Sequence, residues 1–379
     1  MNNQKIWLSS PHMGGNEQQF VNEAFETNWV APLGPNVTGF EQDLESFLSE
    51  NCHIAALSSG TAAIHLGLIL LNVKAGDEVL CQSFTFSATA NPIIYQGATP
   101  IFIDSEPETW NICPIALENA IIDRIAKGKK PKVIIAVHLY GMPFKVDEIL
   151  EISRKYEIPV LEDSAEALGS LYKGRKCGTF GEIGVLSFNG NKIITTSSGG
   201  AIVTKTKELK EKAIFLATQA RDNAPHYQHS EIGYNYRLSN VCAGIGRGQM
   251  QVIENRVEAR RKMHHFYVDY FQEINGIDVF CEPNQDYFSN YWLSAIIVNP
   301  EKFNGKNRED LRLELEKENI ESRPLWKPMH LQPVFEKYPF YGINICENLF
   351  KNGLCLPSGS NLTDLEKLRI ISVFDVFFK

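Results

Sequence analysis

Between residues 54 and 205 the chain repeatedly runs several apolar residues without a break, and this constrains the fold more than any other feature. Val133-Ile134-Ile135-Ala136-Val137 is the purest case. A strand with one wet face alternates apolar and polar residues, whereas a strand covered on both faces does not. Pro100-Ile101-Phe102-Ile103 and Pro159-Val160-Leu161 are of the same kind, and Glu78-Val79-Leu80 follows a Gly76-Asp77 turn. Helical patterns lie between them, at residues 62–71 and 147–156. Buried strands separated by helices predict an α/β fold with a mostly parallel sheet covered on both sides. Ligands of such sheets collect at the carboxyl ends of the strands. Residues 58–61, His138, Asp163 and Ser187 all fall just after apolar strands.

Beyond about residue 240 the pattern changes. Residues 242–271 read as one long helix rich in Arg, Glu and Gln, 291–298 as a strand and 308–319 as a helix. A last helix is expected from Thr363 to about residue 378, because Thr363 and Glu366 have capping-box spacing. The expected division is an N-terminal arm and large domain over 1–254, then a smaller C-terminal α+β domain over 255–379. The arm is expected to pack near the second domain. No internal repeat is visible.

A net charge of -8 with no long basic run gives nucleic acid or an anionic membrane nothing to bind. Residues 1–15 hold no apolar stretch of signal-peptide length, and no segment is long enough to span a membrane. The eight cysteines (52, 81, 113, 177, 242, 281, 346, 355) form no C-x-x-C pair, so no metal site is expected and the thiols read as reduced core residues. The expectation is a cytoplasmic protein without metal, nucleic-acid or membrane partners.

Three segments carry chemistry. Lys192 lies between an apolar strand and a Ser/Thr/Gly-rich turn, in Ser187-Phe188-Asn189-Gly190-Asn191-Lys192-Ile193-Ile194-Thr195-Thr196-Ser197-Ser198-Gly199-Gly200. Partial burial beside Ile193 and Ile194 would favour a nucleophilic amine; a solvated lysine at a strand end reads equally well. Asp163, in Leu161-Glu162-Asp163-Ser164-Ala165-Glu166, ends a buried strand and needs a cation or hydrogen bonds to stay ionised. A pyridinium nitrogen would serve, as would a metal, and a helix N-cap is the structural alternative. Ser59-Gly60-Thr61-Ala62 opens a helix, where small residues and the helix dipole suit a phosphate, although an ordinary cap looks the same.

Together these segments resemble the DegT/DnrJ/StrS family of pyridoxal-phosphate (PLP) dependent nucleotide-sugar aminotransferases, which have aspartate-aminotransferase fold type I. The resemblance spans nearly the whole chain. It takes in residues 29–40, Gln82-Ser83-Phe84-Thr85-Phe86-Ser87-Ala88-Thr89-Ala90-Asn91, Val137-His138-Leu139-Tyr140-Gly141, Gly233-Tyr234-Asn235-Tyr236-Arg237 and Met329-His330-Leu331-Gln332-Pro333. It implies that Lys192 carries the cofactor as a Schiff base and shuttles protons, and that Asp163 partners the pyridine nitrogen. Phe86 is implied to stack on the ring, and Gly60, Thr61 and Ser187 to cradle the phosphate. Asn235 is implied to reach the phosphate of a neighbouring subunit, which makes the active unit a homodimer with shared sites, and His330 to lie near the sugar nucleotide. The amino donor implied is L-glutamate.

Two positions depart from the family pattern. Glu166 stands where many members have Gln beside the cofactor's O3′, so a proton shared across that pair is expected; otherwise Glu166 points away. Ser198 stands where relatives more often have glycine, a substitution that strains the backbone if positive φ is required there. Residues 189–196, 323–330 and 11–17 resemble one subgroup, which aminates C4 of a UDP-2-acetamido-2,6-dideoxy-4-keto-hexose on the route to N,N′-diacetylbacillosamine. Trp326 and Lys327 suit a uracil and a diphosphate, or Trp326 is simply core. Sugar dehydratases on this scaffold have histidine at the position of Lys192, and cysteine desulfurases need a mobile catalytic cysteine that is not evident here. Amination of a different keto-sugar nucleotide and a non-enzymatic sugar-binding role are the other readings.

Overall fold

The computed structural model describes residues 4–378; residues 1–3 and 379, at the outer ends of the two expected domains, lie outside the described residues. Two helices come first, α1 (Glu17–Glu26) and α2 (Pro35–Leu48). The alternation follows: β1 (His53–Leu57), α3 (Gly60–Leu70), β2 (Glu78–Gln82), α4 (Ser87–Tyr95), β3 (Thr99–Ile103), α5 (Pro114–Ala126), β4 (Val133–Val137), α6 (Val146–Tyr156) and β5 (Val160–Asp163). A small hairpin, β6 (Leu171–Tyr172) and β7 (Arg175–Lys176), precedes β8 (Ile183–Ser187), β9 (Gly200–Thr204) and α7 (Lys207–Ala217).

Eight strands make one sheet in the order β1-β9-β8-β5-β4-β2-β3-β14, where β14 is Phe340–Tyr341. β9 is antiparallel to both neighbours, and the other pairings are parallel. The pleat sends successive side chains to opposite faces. Leu80, Ile101, Ile134 and Ala136 pack beneath Leu117 and Ile121 of α5 and Ile149 of α6. Val79, Cys81, Phe102 and Ile135 pack on the other side against Ile64 of α3 and Leu216 of α7. The unbroken apolar runs are therefore buried on both faces, each large side chain contributing roughly 1.5–3 kcal/mol.

Residues 242–271 are not one helix. α8 (Asn240–Met250) ends before Val252, whose φ of -122° and ψ of 11° are non-helical, and α9 (Ile253–Phe271) follows. A Cβ on Gly248 would sit 2.7 Å from Glu17 Cα, and one on Gly246 2.7 Å from the Phe40 ring, so α8 is pressed onto α1 and α2. Ile253 and Val257 at the start of α9 stay in that cluster, whereas Met263, Tyr267 and Phe271 further along it cover a second sheet.

That second sheet, β10 (Ile277–Val279), β12 (Ser294–Val298), β15 (Gly353–Leu356) and β13 (Arg323–Pro324) in that order, is antiparallel throughout. α10 (Arg308–Lys317) and α12 (Asp364–Phe377) complete its cover, with α11 (Ile345–Asn352) beside it; β11 (Tyr287–Phe288) pairs with β6. α12 starts with the expected reciprocal capping box between Thr363 and Glu366. The N-terminal arm lies on the same region: Ile6 N–H donates to Asn319 O at 3.0 Å and Ser358 N–H to Leu8 O at 2.8 Å. Among the described residues no helix is long and apolar enough to cross a membrane.

One carboxylate ties the C-terminal segment to the large sheet. β14 pairs with β3, and Asp104, next after β3, accepts the backbone N–H groups of Ile343 (2.9 Å), Ile345 (3.0 Å) and Cys346 (2.9 Å). Burial works to raise the pKa of Asp104, but these hydrogen bonds outweigh it and hold the carboxyl below the usual carboxylate range. A carboxyl depressed in the folded state stabilises fully above its unfolded value of about 3.9, and that share is lost as pH falls through the folded value. Asp104→Asn keeps one acceptor oxygen and should cost about 2–4 kcal/mol in urea unfolding at pH 7. The gap between wild type and variant should shrink on acidification below pH 4.

Candidate active site

A cavity of about 300 Å³ opens at the carboxyl ends of the parallel strands. Seven of the residues picked out in the sequence line it together: Gly60, Thr61, Phe86, Asp163, Glu166, Ser187 and Lys192. They come from the start of α3, the start of α4, the turn after β5, the end of β8 and the loop that follows.

The start of α3 is built for close approach. Ser59 is extended and its Oγ accepts the Ala62 N–H at 3.0 Å. The Gly60 and Thr61 N–H groups have no intrahelical partner, as at any helix start, and carry the positive end of the dipole. A Cβ on Gly60 would meet Ser187 Cβ at 3.0 Å, and one on Gly200 would meet Gly60 N at 2.4 Å. Glycine at 200 is thus what lets the helix end rest on β8 and β9.

Across the cavity two carboxyl groups are buried. Thr89 Oγ1 donates to Asp163 Oδ2 at 2.7 Å, which obliges Thr85 to donate to Thr89 at 2.8 Å, and the Ala165 N–H reaches Asp163 Oδ1 at 3.1 Å. Burial still pushes the pKa of Asp163 up from the usual range. Glu166 is raised for the same reason, although Tyr140 N–H donates to its Oε2 at 2.8 Å and Lys192 Nζ stands 3.4 Å from its Oε1. The Lys192 ammonium also lies 4.1 Å from the centre of the Trp292 ring. Two dry carboxyls thus share one ammonium, and the site has room for one more positive charge.

Thr89, Trp292 and Tyr140 were given no role of their own from the sequence. Thr89 follows Phe86 by three positions, one helical turn, and that spacing was the available clue. Trp292 sits before a strand of the second sheet. Tyr140 lies outside the lining, yet aims its N–H at Glu166 by adopting a left-handed conformation (φ 55°, ψ 16°). Trp326 lines the mouth with its ring 5.4 Å from that of the half-exposed Phe86 and 6.1 Å from that of Tyr140.

Other expected residues stand elsewhere. His330 is outside the cavity lining: Nδ1 is 2.7 Å from Ser83 Oγ, Nε2 is 3.2 Å from Glu347 Oε1, and its ring stacks on Phe340 at 3.7 Å. Nδ1 joins the C-terminal segment to the turn after β2, and Nε2 is engaged within that segment by α11. Asn235 is exposed and bridged to Thr218, also away from the lining. The positive φ expected as a possibility at Ser198 falls at Ser197 instead (71°), where Thr195 Oγ1 accepts the Ser197 N–H at 2.9 Å. His138, Glu162 and Cys177 bring metal-type ligand atoms within 4.8 Å of one another. Glu162 is already saturated there, by His138 Nε2 and the N–H groups of Gly178, Phe180 and Gly181.

The DegT/DnrJ/EryC1/StrS aminotransferase family model matches residues 11–375. The chain belongs to this family. It is 52% identical over 373 residues to EpsN of Bacillus subtilis (strain 168), a candidate pyridoxal phosphate-dependent aminotransferase, covering 97% of this chain and 95% of that one. It is 36% identical to the GDP-perosamine synthase of Escherichia coli O157:H7, over 98% of both. The solved DegT/DnrJ/EryC1/StrS aminotransferase of Brucella abortus superposes with a TM-score of 0.87 at 28% identity, over 96% of this chain and 95% of that one. The protein is a PLP-dependent sugar aminotransferase of fold type I. Its cavity fits the cofactor: a helix end freed by glycine suits the phosphate, and a buried, cation-poor Asp163 suits a protonated ring nitrogen.

Gly200→Ala drives a Cβ into the backbone of Ser59 and Gly60, an overpacking worth about 1–3 kcal/mol. Titration of the apoenzyme with PLP, read by visible absorbance, should give an affinity at least about tenfold weaker. Gly190→Ala, whose Cβ would meet nothing nearer than Pro11 at 3.8 Å, should bind PLP as wild type does.

Proposed function

We propose that this enzyme moves an amino group from L-glutamate to the C4 ketone of a UDP-2-acetamido-2,6-dideoxy-4-keto-hexose, giving a UDP-4-amino sugar for bacterial glycan synthesis. The observation that carries the chemistry is the ammonium of Lys192, half-buried in a cavity with two buried carboxyl groups. When bound, PLP supplies a carbonyl carbon that exchanges amino groups and a protonated ring that absorbs an electron pair. As a free amine, Lys192 Nζ would take the proton from the donor's α-carbon, and as an ammonium it would give a proton back, with the two roles reversed in the second half. Asp163 holds the ring's positive charge, with the Thr85–Thr89 relay fixing which oxygen faces it. Glu166, short of a full counter-charge, shares a proton at the cofactor's O3′. Gly60, Thr61 and Ser187 take the phosphate, and Phe86 covers the ring.

The substrate reading draws on two segments far apart in sequence. Asn189 and Asn191 of the lysine loop and Trp326 of the 323–330 segment, which share the subgroup pattern, line the same cavity. A pocket that hydrogen-bonds an acetamido group rejects a sugar lacking it, because its own polar groups are then left unpaired. The proposed active unit is a homodimer, with the exposed Asn235 serving the neighbouring subunit's phosphate site. A second reading, a GDP-linked sugar, takes its support from the 36% identical GDP-perosamine synthase.

Purified enzyme should be yellow, and Lys192→Ala should lose both the band of the lysine-linked cofactor and turnover. A borohydride-stable link surviving in that variant would move the cofactor's attachment elsewhere. With L-glutamate as donor, amination of the UDP-2-acetamido-4-keto sugar should exceed that of the GDP- and dTDP-4-keto-6-deoxy sugars by at least about a hundredfold in kcat/KM, with NMR placing nitrogen at C4. Preference for a GDP sugar would decide for the second reading.

A further inference from the structure

Arg260 of α9 is among the largest fully buried side chains, at 1% exposure, and no step above uses it. Among the described residues no carboxylate lies within ion-pair distance of it. Taking a guanidinium out of water without a counter-ion is costly. Here burial, with Arg256 adding repulsion, pulls the pKa of Arg260 down to about 9. Such a group is retained for what it holds.

What it holds leads to the lysine. Arg260 Nη1 donates to Trp292 O at 2.5 Å and Nη2 to Ser9 Oγ at 2.8 Å. Both of those residues grip one further atom, the carbonyl oxygen of Asn191: Trp292 Nε1 donates to it at 2.6 Å and Ser9 Oγ at 2.7 Å. That carbonyl belongs to the peptide that enters Lys192, whose own N–H donates to Asn189 O at 3.0 Å. Trp292 also presents its ring face to the Lys192 ammonium. The guanidinium fork therefore closes a ring, Arg260–Ser9–Asn191–Trp292, with each of its two arms on a residue that fixes the lysine's backbone.

We infer that Arg260 is a positioning residue for Lys192, acting through Ser9 of the N-terminal arm and Trp292 of the second sheet. The shape of the guanidinium is what the role needs. Two divergent acceptors, one a carbonyl and one a hydroxyl, are spanned by a planar fork, whereas an ammonium is a single point donor. Ser9 has to accept from Arg260 and donate to Asn191 at once, which only a hydroxyl can do. A strap from the far end of the chain is thereby made part of the catalytic loop.

The inference rests on Lys192 being the cofactor's lysine, and the test separates the two. The holoenzyme and Ser9→Ala, Ser9→Thr and Arg260→Lys variants would be compared by visible circular dichroism of the bound cofactor and by the single-turnover rate with L-glutamate. Ser9→Ala removes one oxygen at a half-buried position, so the fold and the PLP content should stay. Its visible dichroism should fall, and its single-turnover rate should drop about tenfold with the glutamate dependence unchanged. Ser9→Thr, which keeps the hydroxyl, should restore both. Arg260→Lys should resemble Ser9→Ala, and the double variant should be no worse than the poorer single, because both cut the same ring. Wild-type dichroism and rate in Ser9→Ala, or equal loss in Ser9→Thr, would overturn the inference even if Arg260→Lys fails to fold. Absence of a lysine-linked band in the wild type would instead sink the assignment of Lys192.

Discussion

Two carboxyl groups kept dry at the end of one parallel strand set the terms for the surrounding site. Asp163 and Glu166 are both buried, and burial works against their charge. A protein tolerates this only by bringing donors and cations to them. The threonine relay from α4, the left-handed turn at Tyr140 and the ammonium of Lys192 are each such a donor, drawn from a different segment. Their convergence leaves a cavity with an unfilled demand for positive charge beside a helix end that favours negative charge. A zwitterionic cofactor with a phosphate at one end and a pyridinium at the other answers both demands.

The turn at Tyr140 links this electrostatics to the walls of the cavity. A bulky residue with positive φ costs on the order of 1–2 kcal/mol, and the surroundings must over-determine it. Its N–H goes to Glu166, its hydroxyl accepts the Trp326 N–H at 2.9 Å, and its ring is stacked between Trp292 (6.5 Å) and Trp326 (6.1 Å). One residue thus joins the carboxyl floor, the lysine's aromatic neighbour and the mouth. A shift in any of the three would be felt by the others.

What was legible in the sequence divides along physical lines. Runs such as Val133–Val137 announce a strand covered on both faces because they are short and rich in β-branched residues as well as unbroken, and the large sheet follows from them. Capping at Thr363 is equally local and equally readable. The break at Val252 was not, since residues 242–271 keep helical propensity across it and nothing local in the sequence marks the interruption. Asp163 ends a buried strand and Lys192 lies in the loop after another, which singled both out, but only the family resemblance gave them roles; Trp292 and Tyr140 were given none, because a tryptophan before a strand and a tyrosine after one are ordinary core residues until the fold brings them to the site. The placement of His330 shows the converse. Its motif matched, but whether a ring faces a cavity or a serine depends on which neighbour reaches it first, and Ser83, Glu347 and Phe340 together enclose it.

The short strand Phe340–Tyr341 bears on how the protein survives outside its folded context. β3 would otherwise end the large sheet on that side with a flat, apolar row of unpaired N–H and C=O groups, the kind of border on which chains stack edge to edge. Two residues returning from the C-terminal half, anchored by Asp104, close that border. A nascent chain that has finished β3 still lacks this cover until more than two hundred further residues have been made. The interval between the two is when self-association is the main hazard, and the last third of the chain acts for the first as a built-in chaperone.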